Sequence, residues 1–334
     1  MTEASGGRRK RPLGTRQRSS RTKVRPARIA ILTALAFLLA GLAGVSAYFL
    51  PLVVTAAQQT NRAAAPAASA APPPAPGSPF TILLLGSDND TKFPKDKVLT
   101  QSMILVRVNP TSHAVTMLSI PRDLWVPLST GHSAKIDLAY QEGGAKAAID
   151  TVAANFKVKI DDYAWIGLKG LVQLIDRLGG IDVVTTNPVL DDFYPADLTG
   201  GNPYGYERVA VLAGPQHLDG VHALQYVRSR HSDLQSDFGR SKRQQQVLQA
   251  IRLKAKQLAP SDIPALASAI GGELKTSIGL DRVARLVPLA ASFDNPDSIQ
   301  QFVLASPYSR GGAPGGSLYP NWGLILPLIH QYFP

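Results

Sequence analysis

Between Ile29 and Val54 the chain runs IAILTALAFLLAGLAGVSAYFLPLVV without one charged side chain. As a helix rising ~1.5 Å per residue, such a run is long enough to cross a ~30 Å hydrocarbon layer. It also lacks the polar stripe that would let it lie on a globular core. The run therefore divides the chain, and any folded domain must form on one side of it. We expect a transmembrane helix over residues 29–50, closed by Pro51. Ten basic residues from Arg8 to Arg28 precede it, against Glu3 alone. By the positive-inside rule residues 1–28 are a cytoplasmic tail, and the remainder is extracytoplasmic on a single-pass anchor in the cell membrane. A cleaved signal peptide has the same order of charge and apolarity, but its apolar core is shorter, ~7–15 residues.

The formal net charge of +11 points to an anionic partner until it is located. The tail holds +9 of it, which leaves the rest of the chain nearly neutral. That tail has no helix-turn-helix pattern, and the membrane separates it from the main domain. Topology and attachment to an anionic lipid bilayer explain it better than a membrane-bound transcriptional regulator, and no nucleic acid partner is expected. Residues 51–79 are rich in alanine and proline and read as an extracytoplasmic stalk. Cysteine is absent, which removes disulfides and thiolate metal sites together. Residues 80–334 are long enough to bury a core without them.

Short apolar runs at 80–86 (FTILLLG), 102–108 (SMILVRV) and 114–120 (AVTMLSI) read as strands, the last two joined by the turn NPTSH. Being apolar on both faces, they suggest a sheet covered on both sides. Helical periodicity marks 143–156 (GGAKAAIDTVAANF) and 167–180 (GLKGLVQLIDRLGG), and IDVVTT reads as a strand. Asp219 suits the N-cap of GVHALQYV, and a longer helix is expected from about Gly239 to Leu258. A helix in IGLDRVARLVPLAASF and a strand in IQQFVLA would complete the domain. Strands interspersed with helices predict an α/β class, a sandwich around one central sheet. Residues 187–215, with Tyr194, Tyr204 and Tyr206, form either a surface insertion or a rim able to stack on a sugar.

No Walker loop, Rossmann glycine fingerprint, G-x-S-x-G or H-E-x-x-H is present. Arginine and aspartate instead gather at the ends of apolar elements. Arg122 and Asp123 follow the third strand directly, and Asp88 follows the first; were those strands parallel neighbours, Asp88 and Arg122 would reach one edge. In YVRSRHSDLQSDFGRSKRQQQ, Arg228 and Arg230 point the same way in extended chain, while Arg240, Arg243 and Gln244 share a helix face. Guanidiniums converging near a helix N-terminus suit a pyrophosphate, because the planar fork matches phosphate oxygens. The competing reading is a solvated helix face with Arg–Asp pairs of little consequence.

LLLGSD, MILVRVNP, VTMLSIPRDLWV, KIDLAY, DRLGGIDV, GPQHLDGVHALQYVRSR and DFGRSKRQQQVLQAI, in this order behind a basic tail and an apolar span, resemble the LytR–CpsA–Psr family over roughly residues 80–255. The resemblance implies an α-β-α sandwich, a central mixed β-sheet flanked by helices, with an apolar polyprenyl-binding groove. It implies a phosphotransferase that moves a glycopolymer from a polyprenyl-pyrophosphate carrier to a peptidoglycan acceptor through a phosphodiester. By motif position Arg122, Arg228 and Arg230 would contact the pyrophosphate, with Lys135, Asp237, Arg240 and Gln244 completing the site and Arg243 either binding the pyrophosphate or only supporting it, and Asp88 would bind Mg²⁺. For the reaction itself, Asp237 is our candidate to receive or orient the hydroxyl proton.

Two departures stand out. The family's R-[ST]-D-[ST] block is LTQS here, so Gln101 stands where a metal-binding aspartate is expected, and a neutral oxygen is a weaker partner for a hard cation. Asp137 stands where asparagine usually follows the lysine motif. The alternative reading of the same site is a polyprenyl-pyrophosphate pyrophosphatase, with water as acceptor. The helices AAIDTVAANF and LVQLIDRL either line the lipid groove or simply pack the core.

Overall fold

The computed structural model describes residues 75, 77–88, 98–198, 202, 204–230, 236–270, 272–279 and 298–334, and of residues 236, 237, 260, 263, 264 and 267 the backbone only. The basic tail, the span at 29–50, nearly all of the stalk and the helix expected after Gly279 lie outside the described residues. Among the described residues no helix is long and apolar enough to cross a membrane.

The elements run β1 (Phe80–Ser87), β2 (Thr100–Asn109), β3 (Ala114–Ile120), β4 (Trp125–Pro127), β5 (Ser133–Lys135), α1 (Leu138–Phe156), β6 (Asp162–Ile166), α2 (Leu168–Arg177), β7 (Ile181–Thr185), β8 (Val189–Pro195), β9 (Tyr206–Val211), β10 (Gly214–Leu218), α3 (Gly220–Arg228), α4 (Ser236–Ala255), α5 (Ile263–Ile270), β11 (Leu274–Thr276), β12 (Ile299–Val303), β13 (Ser309–Ala313), β14 (Ser317–Pro320) and α6 (Trp322–Tyr332). Six strands form the central sheet in the order β11-β6-β1-β2-β3-β12. It is mixed: β1 pairs antiparallel with β2 and β2 with β3, while β6 and β12 run parallel to β1 and β3. β1 and β3 are therefore not neighbours as supposed above. Two antiparallel steps still bring their C-terminal ends to the same edge, because each step reverses direction and the second restores it.

The described residues pack into two cores. Leu83, Leu85, Met103, Leu105, Leu118 and Ile120 face one side, and α1 and α6 cover them with Ala148, Val152, Phe156, Ile325 and Ile329. The expected helix AAIDTVAANF thus packs the core. Its glycines do not belong to it: Gly143 (φ −146°) and Gly144 (φ 65°) break α1 into a first turn from Leu138 and a regular helix beyond. Gly144 adopts a left-handed conformation that side-chain-bearing residues rarely take, so the pair ends the first segment.

The second core lies among α2, α3, α4 and the two-stranded sheets β7–β10 and β8–β9, around Ile175, Ile181, Val209, Leu218, Leu224 and Val247. α2 and α3 touch closely, since a Cβ on Gly220 would lie 2.2 Å from the Val172 carbonyl oxygen. Asp219 caps α3 as expected, accepting from the His222 N–H at 2.8 Å. Helix α4 begins at Ser236, three residues before the expected start, and joins the cores: Gln245, 1% exposed, donates to Ser119 Oγ and to the Phe302 carbonyl. Within the segment 187–215, expected to be a surface insertion or a rim, β8 and β9 pair as antiparallel strands, with Tyr204 and Tyr206 exposed and Tyr194 buried.

Candidate active site

The site begins with a slip in the sheet. Gly86 pairs with Ser102 and Ser87 with Thr100, which leaves Gln101 as an extra residue on β2. A bulge of this kind kinks the strand and re-aims the side chain it carries. Gln101 donates from Nε2 to Asp88 Oδ2 at 3.0 Å, and its Oε1 accepts from Arg122 Nη1 and, at 2.8 Å, from Arg230 Nη2. Those neighbours fix the amide's orientation. Turned over, its NH₂ would face two guanidiniums and its oxygen a carboxylate.

Arg228 is the last residue of α3, not part of an extended segment, so the expected alternation with Arg230 does not apply. The two still meet in one cluster. Arg228 grips Asp197 with both arms at 2.7 Å, reaches Asp88 Oδ1 at 3.2 Å, and lies 5.7 Å over the Tyr194 ring. The Asp197 side chain is 1% exposed. Burial alone would lower the Arg228 pKa, but Asp197, Tyr194 and Asp88 together raise it above the ordinary arginine value. Arg230 is placed by its backbone N–H, which donates to Asp191 Oδ2 at 3.2 Å.

On the sheet side Lys135 Nζ sits 2.7 Å from Asp123 Oδ1, and Arg122 Nε lies 3.4 Å from Oδ2. Burial works to raise the Asp123 carboxyl, yet the Lys135 hydrogen bond and the charges of Arg122, Lys135 and Arg230 hold it below the usual range. Asp137, 4% exposed, behaves oppositely: burial, aided by the Asp123 charge, outweighs Arg122 and pushes its carboxyl up to about 6. One of its oxygens, Oδ1, meets no hydrogen-bond donor.

A cavity of about 160 Å³ opens at this edge, lined by Gln101, Ser119, Arg122, Phe238, Arg240 and Gln244 among others. Gln244 accepts from Ser102 Oγ at 2.8 Å. Arg243 does not join its neighbours there. Three residues turn a helix by about 300°, and the remaining offset aims Arg243 under the C-terminus of α3. It is 7% exposed and donates to the carbonyls of Tyr226 and Ser229, the latter at 2.8 Å. Its described contacts thus brace the helix end from which Arg228 and Arg230 reach the cluster. Only the backbone of Asp237 is described, so its expected role falls outside the described side chains. A second cavity, about 250 Å³, is lined by Val172, Tyr194, Leu198, Val221 and Leu224. Val221 and Leu224 lie seven and four residues before Arg228, on the same face of α3.

Of the arginines' carboxylate partners, the sequence points to Asp123, beside Arg122, but not to Asp197 or Asp191. Asp197 lies 31 positions from Arg228, and no spacing rule joins them.

The donor set does not fit the Mg²⁺ that the family resemblance implies. A cation shared by Asp88 and position 101 needs oxygen from both, and the Nε2–H of Gln101 lies between them. The other Asp88 oxygen accepts from Arg228. Among the described residues no three His, Asp or Glu side chains converge on a metal-sized space.

The LytR_cpsA_psr family model matches residues 48–313. The chain belongs to that family. Over 214 residues it is 37% identical to Biofilm regulatory protein A of Streptococcus mutans, covering 60% of this chain and 50% of that protein. Over 177 residues it is 36% identical to the polyisoprenyl-teichoic acid–peptidoglycan teichoic acid transferase TagV of Bacillus subtilis, covering 52% and 43%. The crystal structure of B. subtilis TagV superposes with a TM-score of 0.63 at 26% identity, over 77% of this chain and 96% of that one. A structure of TagT bound to LIIa-WTA gives 0.62 at 26% identity, over 77% and 91%. In these sequence matches the chain spans about half the length of the curated relatives. Its mixed sheet flanked by helices is that of the family's solved structures.

Proposed function

We propose that the chain is a membrane-anchored, extracytoplasmic phosphotransferase that moves a glycopolymer from a polyprenyl-pyrophosphate carrier to peptidoglycan. One observation carries this reading. At the sheet edge Arg122, Arg240 and Gln244 line a cavity, and Gln101 and Asp88 tie Arg230 and Arg228 to its wall. Such a concentration of guanidiniums matches a pyrophosphate. The relative TagV is named for a polyisoprenyl-linked donor and a peptidoglycan acceptor, and TagT has been solved with LIIa-WTA bound. The apolar run at 29–50 supplies the anchor, with its basic flank inside.

In the proposed reaction an acceptor hydroxyl oxygen bonds to the glycan-side phosphorus as the bond from that phosphorus to the bridging oxygen breaks. The electron pair leaves on polyprenyl phosphate. The hydroxyl proton goes to a base, for which Asp237, near the start of α4, is the candidate. Arg122, Arg228, Arg230 and Arg240 hold charge on the transferring group, and such positioning dominates phosphoryl transfer. The cavity along α3 takes the first isoprene units, whose chain then lies against Val172, Leu198 and Leu224.

The test is to supply the detergent-solubilised full chain with a polyprenyl-pyrophosphate-linked glycan, with and without peptidoglycan. Polyprenyl phosphate released only with acceptor, together with a glycan–peptidoglycan phosphodiester, is the expected result. Equal release without acceptor, with free glycan phosphate, would show the pyrophosphatase instead.

A further inference from the structure

Gln101 occupies the centre of the cluster, yet its residue type contributes neither charge nor catalytic proton transfer. What it contributes is connection. One amide engages a carboxylate on its donor side and two guanidiniums on its acceptor side, so three charged groups from β1's end, β3's end and the segment after α3 are held at one point. A divalent cation shared by two carboxylates would give the same connection by different means, gathering oxygens and offsetting their charge. With a neutral amide at position 101 there is one carboxylate fewer to offset. The bulge directs the side chain into this place.

We propose that Gln101 is a positioning residue that replaces a divalent cation in this site, so that the arginine cluster binds pyrophosphate without metal. The proposal rests on the functional reading above for its ligand, and on the hydrogen bonds of Gln101 alone for its metal independence. It predicts that the site changes its metal requirement when one side chain is changed. In Gln101→Asp the amide N–H that bonds Asp88 is lost and a shorter side chain ending in a carboxylate takes its place, which leaves space between two like charges, an arrangement that recruits a cation.

The experiment uses the full chain in detergent and two calorimetric arms. In the first, Mg²⁺ or Mn²⁺ alone is titrated into the wild type and Gln101→Asp. No binding by the wild type and binding by the variant is expected; binding by the wild type that Asp88→Asn abolishes would overturn the proposal. In the second, inorganic pyrophosphate is titrated with Mg²⁺ or with EDTA. Wild-type affinity should be the same in both, within about twofold, whereas Gln101→Asp should need Mg²⁺ and Gln101→Ala should weaken about tenfold in both, the loss of roughly one charge-assisted contact. A wild-type affinity that rises tenfold or more with Mg²⁺ (about 1.4 kcal/mol) overturns it as well. If pyrophosphate binds under neither condition while the first arm runs as expected, the substrate reading fails and the amide connection stands.

Discussion

The core beneath the sheet and the core among α2, α3 and the β8–β9 hairpin each supply half of the site, and they place their halves by different means. On the sheet side Asp88, Gln101 and Arg122 stand at strand ends, located by the ladder between β1, β2 and β3. On the helical side Arg228 and Arg230 leave the end of one short helix, located by Asp197, Asp191 and Arg243. Backbone pairing is shared over many residues, so no single side chain decides the position of Asp88. A buried carboxylate clamp is concentrated in one contact, and removing either partner leaves the other charge without compensation.

That contrast can be broken most forcefully at Arg228. Arg228→Ala should lower transfer about 10²–10³-fold and, by stranding Asp197, destabilise the protein by about 3–5 kcal/mol. Release of polyprenyl phosphate and chemical denaturation measure the two effects. Phe156→Ala, in the sheet core, should cost a similar ~3–5 kcal/mol yet leave pyrophosphate affinity unchanged. If it weakened binding as Arg228→Ala does, the two halves would not be positioned separately.

Asp137 offers a pH test on the sheet side. Its carboxyl is raised from 3.8 to about 6, so the folded state holds its proton more tightly than the unfolded chain. Stability therefore falls as pH rises from about 4 to 6, and the cost then persists at higher pH. Asp137→Asn should remove it, raising stability by up to about 3 kcal/mol at neutral pH and by almost nothing at pH 4. Denaturation midpoints across that range decide it, and an equal gain at every pH would show packing as the cause. The smallest effect is expected at Asp219→Ala, about 1 kcal/mol through loss of the α3 cap. Because α3 carries Arg228, this change should also weaken pyrophosphate binding, which an equally destabilising change in α1 would not.

The strands β1, β2 and β3 were legible because apolar runs ended by glycine or proline leave few alternatives, and Asp219 because capping is local. Residues 189–195 were not read as a strand, since VLDDFYP puts exposed Leu190 and Phe193 among buried Val189, Asp191 and Tyr194. Apolarity there does not follow burial. The cluster's arginines could be named from motif position, but their partners could not. Asp197 meets Arg228 only after a hairpin folds back, and the place of Gln101 depends on a one-residue slip against β1 that its own sequence does not encode. The divergence of Arg243 from Arg240 follows from where α3 ends, a tertiary fact.

The slip at Gln101 also separates the frame of the site from its chemistry. A residue outside the ladder carries no register partner, so exchanging it alters the chemistry at the edge without asking the sheet to re-pair. The ladder holds the frame without the bulged position, so under the proposal above one exchange at residue 101 changes the metal requirement with the architecture untouched.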